Sequence, residues 1–395
     1  MAAPTVLWVT PEPPDRGGGG GSIRQSHLLE ALARRAAVDV LAIGGQPDEH
    51  CRSVARQIEV VAAPQQRPRL VPGPAAALWE TAVLRMTPHV ADTRRHRALL
   101  APLVRERAPR YDLVHFEHDR LAPLAGAARG RRRSVTLHNL RSEQAAQRLA
   151  RERSAHRRWM ARRGQAVALR FEREVLRSFD AVFVTSPDDA AALGDSGRCR
   201  VVPNGVDVTA IGPRPLPRDP RMVFVGRLDW QPNVEGLEWF CRHVLPDVSA
   251  SVPGARLDVV GFNPVPEVLA LRSGIVEVHP DVPSTTPFLH AARVAVVPLH
   301  VGSGTRLKAL EAMAAGRPVV GTRIGLAGLG LRSGLHALVV DDPEAMARAL
   351  VRLLGDDAEA SGLARAARRL VEERFDWRQI ASGFAEQMLE LAEGR

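Results

Sequence analysis

The feature that most constrains this chain is a recurrence of short apolar runs rich in Val, Ile and Leu, separated by longer stretches of helical periodicity. In the first half the runs are Val6–Val9, Val38–Ile43, Ile58–Val61, Leu113–Phe116, Val135–Leu137 and Ala181–Val184. In the second they are Met222–Val225, Leu257–Val260, Ile275–Val278, Val294–Val297, Val319–Val320 and Ala337–Val340. Runs this short, without polar alternation, suit strands covered on both faces, which is the environment of a parallel sheet. Strands interleaved with helices predict an α/β chain wound on parallel sheets.

One sheet is not enough. At 395 residues the chain exceeds the ~250–300 residues at which a single core stops growing. A joint is expected near Ile211–Pro217, where Pro213, Pro215 and Pro217 alternate and favour an extended connection over a helix. Pro64–Pro74 reads as a surface loop. At the end of the chain, Trp377, Ile380, Phe384, Met388 and Leu391 recur at helical spacing and predict a helix with one buried face.

No apolar run approaches the ~18 residues that span a bilayer, and the N-terminus lacks a basic flank before its apolar run, so no signal peptide is expected. Cys51, Cys199 and Cys241 are too few and too scattered for a disulfide framework or a zinc site. These features predict a cytoplasmic protein.

Two segments carry the chemistry. The first strand leads through Pro11–Pro14 into Gly17–Gly21, and a helix is expected from Ser22, with Leu28, Leu29 and Leu32 inward. Glycines between a strand and a helix let backbone N–H groups approach an anion. Gly18, Gly19 and Gly20 are therefore candidate contacts. The spacing fits neither a dinucleotide fingerprint nor a P-loop.

The second segment is Val301–Val320, in which a strand ends, a glycine loop follows and a helix begins. Thr305 is expected as its N-cap and Gly316 as the residue just past its end. The helix would then point its N-terminus at the carboxyl edge of the sheet, where open α/β folds bind ligands. Lys308, the sole lysine among 54 basic residues, sits in its first turn, with Glu311 on the same face. A cation at an already positive helix start is unfavourable unless an anion binds there, which points to phosphate. A carboxylate one turn on suits a ribose diol.

Here the sequence meets a family. Gly302–Val320, with Met222–Phe240 upstream, resembles retaining glycosyltransferases of family four, which have the GT-B fold of two Rossmann-like domains facing a cleft. Val201–Val208, Val135–Asn139 and Glu373–Ala381 extend the likeness over nearly the whole chain. The resemblance implies an acceptor-binding domain at 1–210, a nucleotide-sugar domain at 211–372 and a closing helix at 373–395 that crosses back to the first domain. It implies that Arg227 grips the donor diphosphate, that Glu311 binds the ribose and that His138 lines the reacting centre. Asn139 and Glu143 are expected to support His138, and Gly304, Thr305, Arg306 and Leu307 to shape the donor site. Ser303 departs from the family pattern at the position of its first motif glutamate. A lysine usual after the Gly-Arg pair is also missing, so Lys308, with Arg306, is expected to supply the phosphate cation.

The reaction expected is transfer of a sugar from a nucleotide-sugar to a hydroxyl acceptor with retention, the leaving phosphate taking the proton. Fixed cations stabilise the charge that develops on the leaving group. The chain has no Asp-x-Asp motif, so neither metal nor cofactor is expected.

Net charge is +10, and residues 129–177 hold 15 arginines against 4 acids. Much of that stretch reads as a helix with a basic face, interleaved by Met160, Val167, Leu169, Phe171 and Val175. It is either a solvated face coloured by coding bias or a surface for anionic lipid or a phosphorylated acceptor. Nucleic acid is not an expected partner. A nucleic-acid-binding protein, an epimerase or phosphorylase on the same fold, and an inactive scaffold are the competing readings.

Overall fold

The computed structural model describes residues 3–62, 88–194 and 197–394. The expected Pro64–Pro74 loop lies outside the described residues.

Among the described residues thirteen strands form two all-parallel sheets. The first runs β3-β2-β1-β4-β5-β6-β7, from β1 (Thr5–Thr10), β2 (Ala37–Ile43), β3 (Gln57–Val61), β4 (Leu113–Glu117), β5 (Arg132–Leu137), β6 (Ala181–Val184) and β7 (Cys199–Val201). The second runs β10-β9-β8-β11-β12-β13, from β8 (Arg221–Val225), β9 (Arg256–Gly261), β10 (Val276–Pro280), β11 (Val294–Val297), β12 (Val319–Gly321) and β13 (Leu338–Val339). Each expected apolar run lies within, contains or overlaps a strand, and the α/β class holds. The strand missed from sequence is β7, three half-exposed residues at a sheet edge that lack an apolar signature.

Helices cover both faces of each sheet, so strands such as β4 and β11 are buried end to end. The final helix, Trp377–Glu393, packs on the first sheet. Its Trp377, Phe384 and Met388 share a core with Val6, Trp8 and Leu28. Phe384 meets Trp8, His115 and Phe183 with ring centroids 5.1–6.1 Å apart.

The Ile211–Pro217 connection is held by arginines of the second half. Arg368 donates to the carbonyls of Ile211 (2.7 Å) and Val208 (2.8 Å), Arg293 to that of Pro217 (3.1 Å), and Arg317 to those of Arg214 and Pro215. Carbonyls that proline cannot pair in a ladder thus receive guanidinium donors.

Much of residues 129–177 is helical as expected, though in two helices after a strand rather than one. Arg132 and Arg133 open β5, and two helices follow, Arg141–Arg151 and Ala155–Ser178. Val175 is buried and Phe171 packs against the first-sheet core, whereas Met160 and Val167 face outward.

Because Phe384 is fully buried among aromatic rings, Phe384→Ala should cost about 3–5 kcal/mol of stability. Urea unfolding read by its midpoint checks this. A loss under about 1 kcal/mol would mean that the closing helix is not held by this contact.

Candidate active site

The expected residues collect at the carboxyl ends of strands from both sheets. After β1 the chain passes Gly17–Gly19 and enters the helix Gly20–Ala33, two residues earlier than expected, with Gly19 as its N-cap. Ser22 serves the loop instead, its hydroxyl accepting the amide of Asp15 at 2.8 Å.

This glycine loop lies against the second half of the chain. A Cβ placed on Gly20 would fall 2.4 Å from Leu307 Cδ1, so a side chain there would have to displace the end of Leu307. One on Gly19 would touch Arg227 Cδ (3.9 Å) and Phe262 (3.8 Å), and one on Gly18 would meet Ser22 at 2.9 Å.

Across the cleft, the helix Leu307–Ala314 begins with Arg306 rather than Thr305 as its N-cap, and no side chain caps it. The Thr305 hydroxyl is used elsewhere, accepting the amide of Asn204 at 2.8 Å. At the other end Gly316 lies just past the helix with φ +73°, as expected. Amides of Gly316 and Arg317 reach back to the carbonyls of Met313 and Ala312, which closes the helix in a Schellman motif.

Lys308 is part-buried. Its Nζ donates to Asn233 Oδ1 at 2.6 Å and lies 4.1 Å from the centre of the Phe224 ring. Asn233 Nδ2 in turn donates to the Arg227 carbonyl at 2.6 Å. Lys308 and Arg227 are thereby joined through one asparagine side chain. Burial, reinforced by the Arg306 charge, pushes the Lys308 ammonium well below its usual range. Arg227 follows β8 and is half-exposed, holding Asp229 through two hydrogen bonds of 3.0 and 2.7 Å.

Glu311 stands one turn beyond Lys308. Among the described residues its carboxylate has no hydrogen-bond partner, and burial pushes its pKa up to about 7. Arg306 departs from its expected role. Its guanidinium donates to the carbonyls of Ser303 and Ile324 and is turned into the protein. The fixed cations facing the cleft are therefore Lys308 and Arg227.

His138 follows β5. Its support comes not from Asn139 or Glu143, whose side chains make no hydrogen bond to it, but from Glu117 at the end of neighbouring β4. His138 Nε2 lies 2.6 Å from Glu117 Oε1, and His115 Nε2 lies 2.9 Å from Oε2. Burial alone would raise the fully buried Glu117. Hydrogen bonds from the two imidazoles nonetheless hold its carboxyl well below the usual carboxylate range. Next to it, His118 adopts φ +91° and ψ 138°, a region costing about 1–3 kcal/mol for a residue with a Cβ. Its ring stacks on His138 with centroids 5.2 Å apart. Sequence reasoning missed Glu117 and His118. The available signal was the His115-x-Glu117 alternation at a strand end, which puts both side chains on one face.

The loop between the halves is held from both sides. Ser303 Oγ accepts the amide of Leu140 at 2.7 Å, and Gln147 exchanges two hydrogen bonds with Gly302. Gly304, at φ +77°, sits so close to Thr185 that a Cβ would fall 2.4 Å from its hydroxyl. One described group has metal-ligand chemistry, Asp258, Glu277 and His279, but there Asp258 already pairs with Arg221 and His279.

Two family models match this architecture, a glycosyl transferase 4-like domain over residues 19–205 and glycosyl transferases group 1 over residues 219–356. Together they span more than four-fifths of the chain. The chain belongs to the group 1 glycosyltransferases and is an enzyme of the GT-B fold. It is 28% identical to a glycogen synthase of Mycobacterium tuberculosis, over 95% of this chain and 92% of that protein. It is 30% identical to a D-inositol 3-phosphate glycosyltransferase of Xylanimonas cellulosilytica, over 53% of this chain and 57% of that one. Solved structures agree in fold. Anabaena HepE in complex with UDP and glucose superposes with TM-score 0.65 at 16% identity, covering 98% of this chain and 99% of that one. The trehalose-6-phosphate synthase OtsA gives TM-score 0.66 at 15% identity, over 99% of each.

Because Glu311 has a pKa raised to about 7 in the fold, against ~4.3 unfolded, it contributes stability that is present below ~4 and lost as pH rises through 7. Relative to Glu311→Gln, the parent should lose on the order of 3 kcal/mol between pH 4 and pH 8. Chemical denaturation of both proteins across that range measures it; parallel curves would show that the carboxylate titrates as if in water.

Proposed function

We propose that the enzyme transfers a sugar from a nucleotide-sugar to a hydroxyl acceptor with retention of anomeric configuration and without a metal ion. The observation that carries this reading is the cluster of Lys308, Asn233 and Arg227 at the start of the Leu307–Ala314 helix, facing the first-half glycine loop. A helix N-terminus and two fixed cations stabilise the charge that a departing diphosphate develops. HepE bound to UDP and glucose on the same fold supports such a donor.

In this reading Lys308 and Arg227 hold the diphosphate, Glu311 accepts the ribose hydroxyls and His138 lines the reacting centre. The backbone at Gly18–Gly20 and Gly304–Leu307 closes around the donor. Residues 211–372 supply the donor half, 1–210 the acceptor half, and 373–395 ties them. As the glycosidic bond to the leaving phosphate breaks, the acceptor oxygen attacks from the same face and its proton passes to that phosphate. The product keeps its anomeric configuration.

Lys308→Ala should weaken nucleotide-sugar binding at least tenfold and lower turnover, since a charge-assisted contact to phosphate contributes about 1.5–3 kcal/mol. A thermal-shift panel of nucleotide-sugars, in which a bound ligand raises Tm, identifies base and sugar. Parent-like affinity and turnover in the variant would remove the lysine from the reading. NMR of the product anomer tests the stereochemistry, an inverted product being the outcome that overturns retention.

The acceptor half also presents a surface suited to an anionic membrane, which would make this a cytoplasmic enzyme held at the inner face. On the helix Ala155–Ser178, Trp159 (55% exposed), Arg163, Val167 (65% exposed) and Arg170 follow at spacings of four, four and three, so they form one stripe. Arg163 lies 4.8 Å over the Trp159 ring. Basic residues near an anionic surface contribute about 1 kcal/mol each. Among the described residues no helix is long and apolar enough to cross a membrane. Flotation should recover the protein with anionic vesicles but not neutral ones, and Trp159→Ala with Arg163→Ala should lower recovery. Equal recovery with both vesicle types would reject the lipid.

A further inference from the structure

The described polar contacts of Glu117 are with protein groups below the cleft, and those of His138 leave one ring nitrogen unassigned. We propose that Glu117 is the positioning residue for His138, fixing the imidazole as its Nε2–H tautomer so that Nδ1 accepts a hydrogen bond from a sugar hydroxyl in the cleft. The inference rests on the glycosyl-transfer reading above and deepens it.

Glu117 is fully buried, and its two oxygens face one ring nitrogen each. An ionised carboxylate accepts hydrogen bonds and donates none, so the nitrogens facing it carry the protons. His115 faces Glu117 Oε2 through Nε2, while its Nδ1 lies 2.9 Å from the Ser134 hydroxyl on the far side of the ring. The countercharge is already present, because the fully buried Arg24 guanidinium attracts Glu117. Burial also lowers the His138 pKa, keeping the ring neutral. A neutral imidazole with its proton on Nε2 has a lone pair on Nδ1.

Orientation follows from the neighbours. The His118 ring covers one face of His138, held there by its own strained backbone. The Cε1–Nδ1 edge lies toward Gly21, where a Cβ would come within 3.6–3.7 Å. With tautomer, tilt and edge all set before ligand arrives, the nitrogen suits a hydroxyl donor. It moves no proton, consistent with the leaving phosphate taking the acceptor's proton.

The test uses the full chain labelled with 15N-histidine and long-range 15N–1H correlation at neutral pH. His138 should show a protonated Nε2 and a bare Nδ1. In Glu117→Gln, whose amide can also donate, the Nδ1–H form should appear, and kcat should fall about ten- to a hundredfold with donor KM within about threefold. Glu117→Asp, still an acceptor only, should keep the parent tautomer and retain more activity than the glutamine variant. A parent His138 protonated on Nδ1 overturns the proposal. So does a Gln variant with unchanged kcat, or one that loses activity with its tautomer unaltered, since that is what packing alone would give. If Glu117→Gln does not fold, as judged by near-UV circular dichroism, the parent tautomer and the aspartate variant decide. A parent protein with no transferase activity would defeat the functional reading, while the tautomer spectrum would stand or fall on its own.

Discussion

The backbone between β11 and the Leu307–Ala314 helix has to satisfy its polar groups at the bottom of a cleft, and it does so with partners from the other half of the chain. Gln147 takes Gly302, the Leu140 amide takes the Ser303 hydroxyl, and Asn204 takes both the hydroxyl and the carbonyl of Thr305. Buried N–H and C=O groups left unpaired would cost about 1–3 kcal/mol each. The two sheets are thus registered against each other by the loop that opens the candidate donor site. Arg24 extends the same device, gripping the carbonyls of Val202 and Pro203 just before Asn204.

Arginine has a second use in this protein that a tally of charge conceals. Arg24, Arg293, Arg306 and Arg317 are all buried, and each donates to main-chain carbonyls. Burial lowers the pKa of Arg24, Arg306 and Arg317 only to about 10, so they stay charged at neutral pH. Five donors in a planar fork let one side chain satisfy several carbonyls at once. Proline-rich segments such as Ile211–Pro217 gain the most, having few amides to offer a ladder. The expected extended connection is real, and it is clamped along its length.

The sheets were legible because parallel strands are buried on both faces and leave uninterrupted apolar runs, as Leu113–Phe116 and Val294–Val297 do. The placement of Lys308 and Glu311 on one short helix was legible because a glycine loop precedes it and Gly316 ends it. Glu117 was not, since twenty residues of chain separate it from His138. Only the adjacency of β4 and β5 brings them together. Arg306 and Thr305 sat in the right motif, but side-chain direction is decided by which carbonyl or amide lies nearest. Spacing along a helix carries no information about Ile324 or Asn204.

The electrostatics of the cleft also bear on how a site so rich in ionisable groups is tolerated in the fold. Burial drives Lys308 down and Glu311 up, so each moves toward its neutral form. Arg227 is meanwhile neutralised by Asp229. A shift toward the neutral form lessens the cost of desolvated charge, which runs to several kcal/mol per ion. In the function proposed above, an incoming diphosphate would reverse the balance. Its negative charge favours the protonated ammonium of Lys308 and competes with Asp229 for the Arg227 fork, while hydroxyl donors favour the ionised Glu311. In the proposed reading Lys308 and Glu311 thus gain charge when the partner that stabilises each arrives, while Arg227 exchanges one anionic partner for another. A nucleoside diphosphate is a ligand that brings both the anion and the diol.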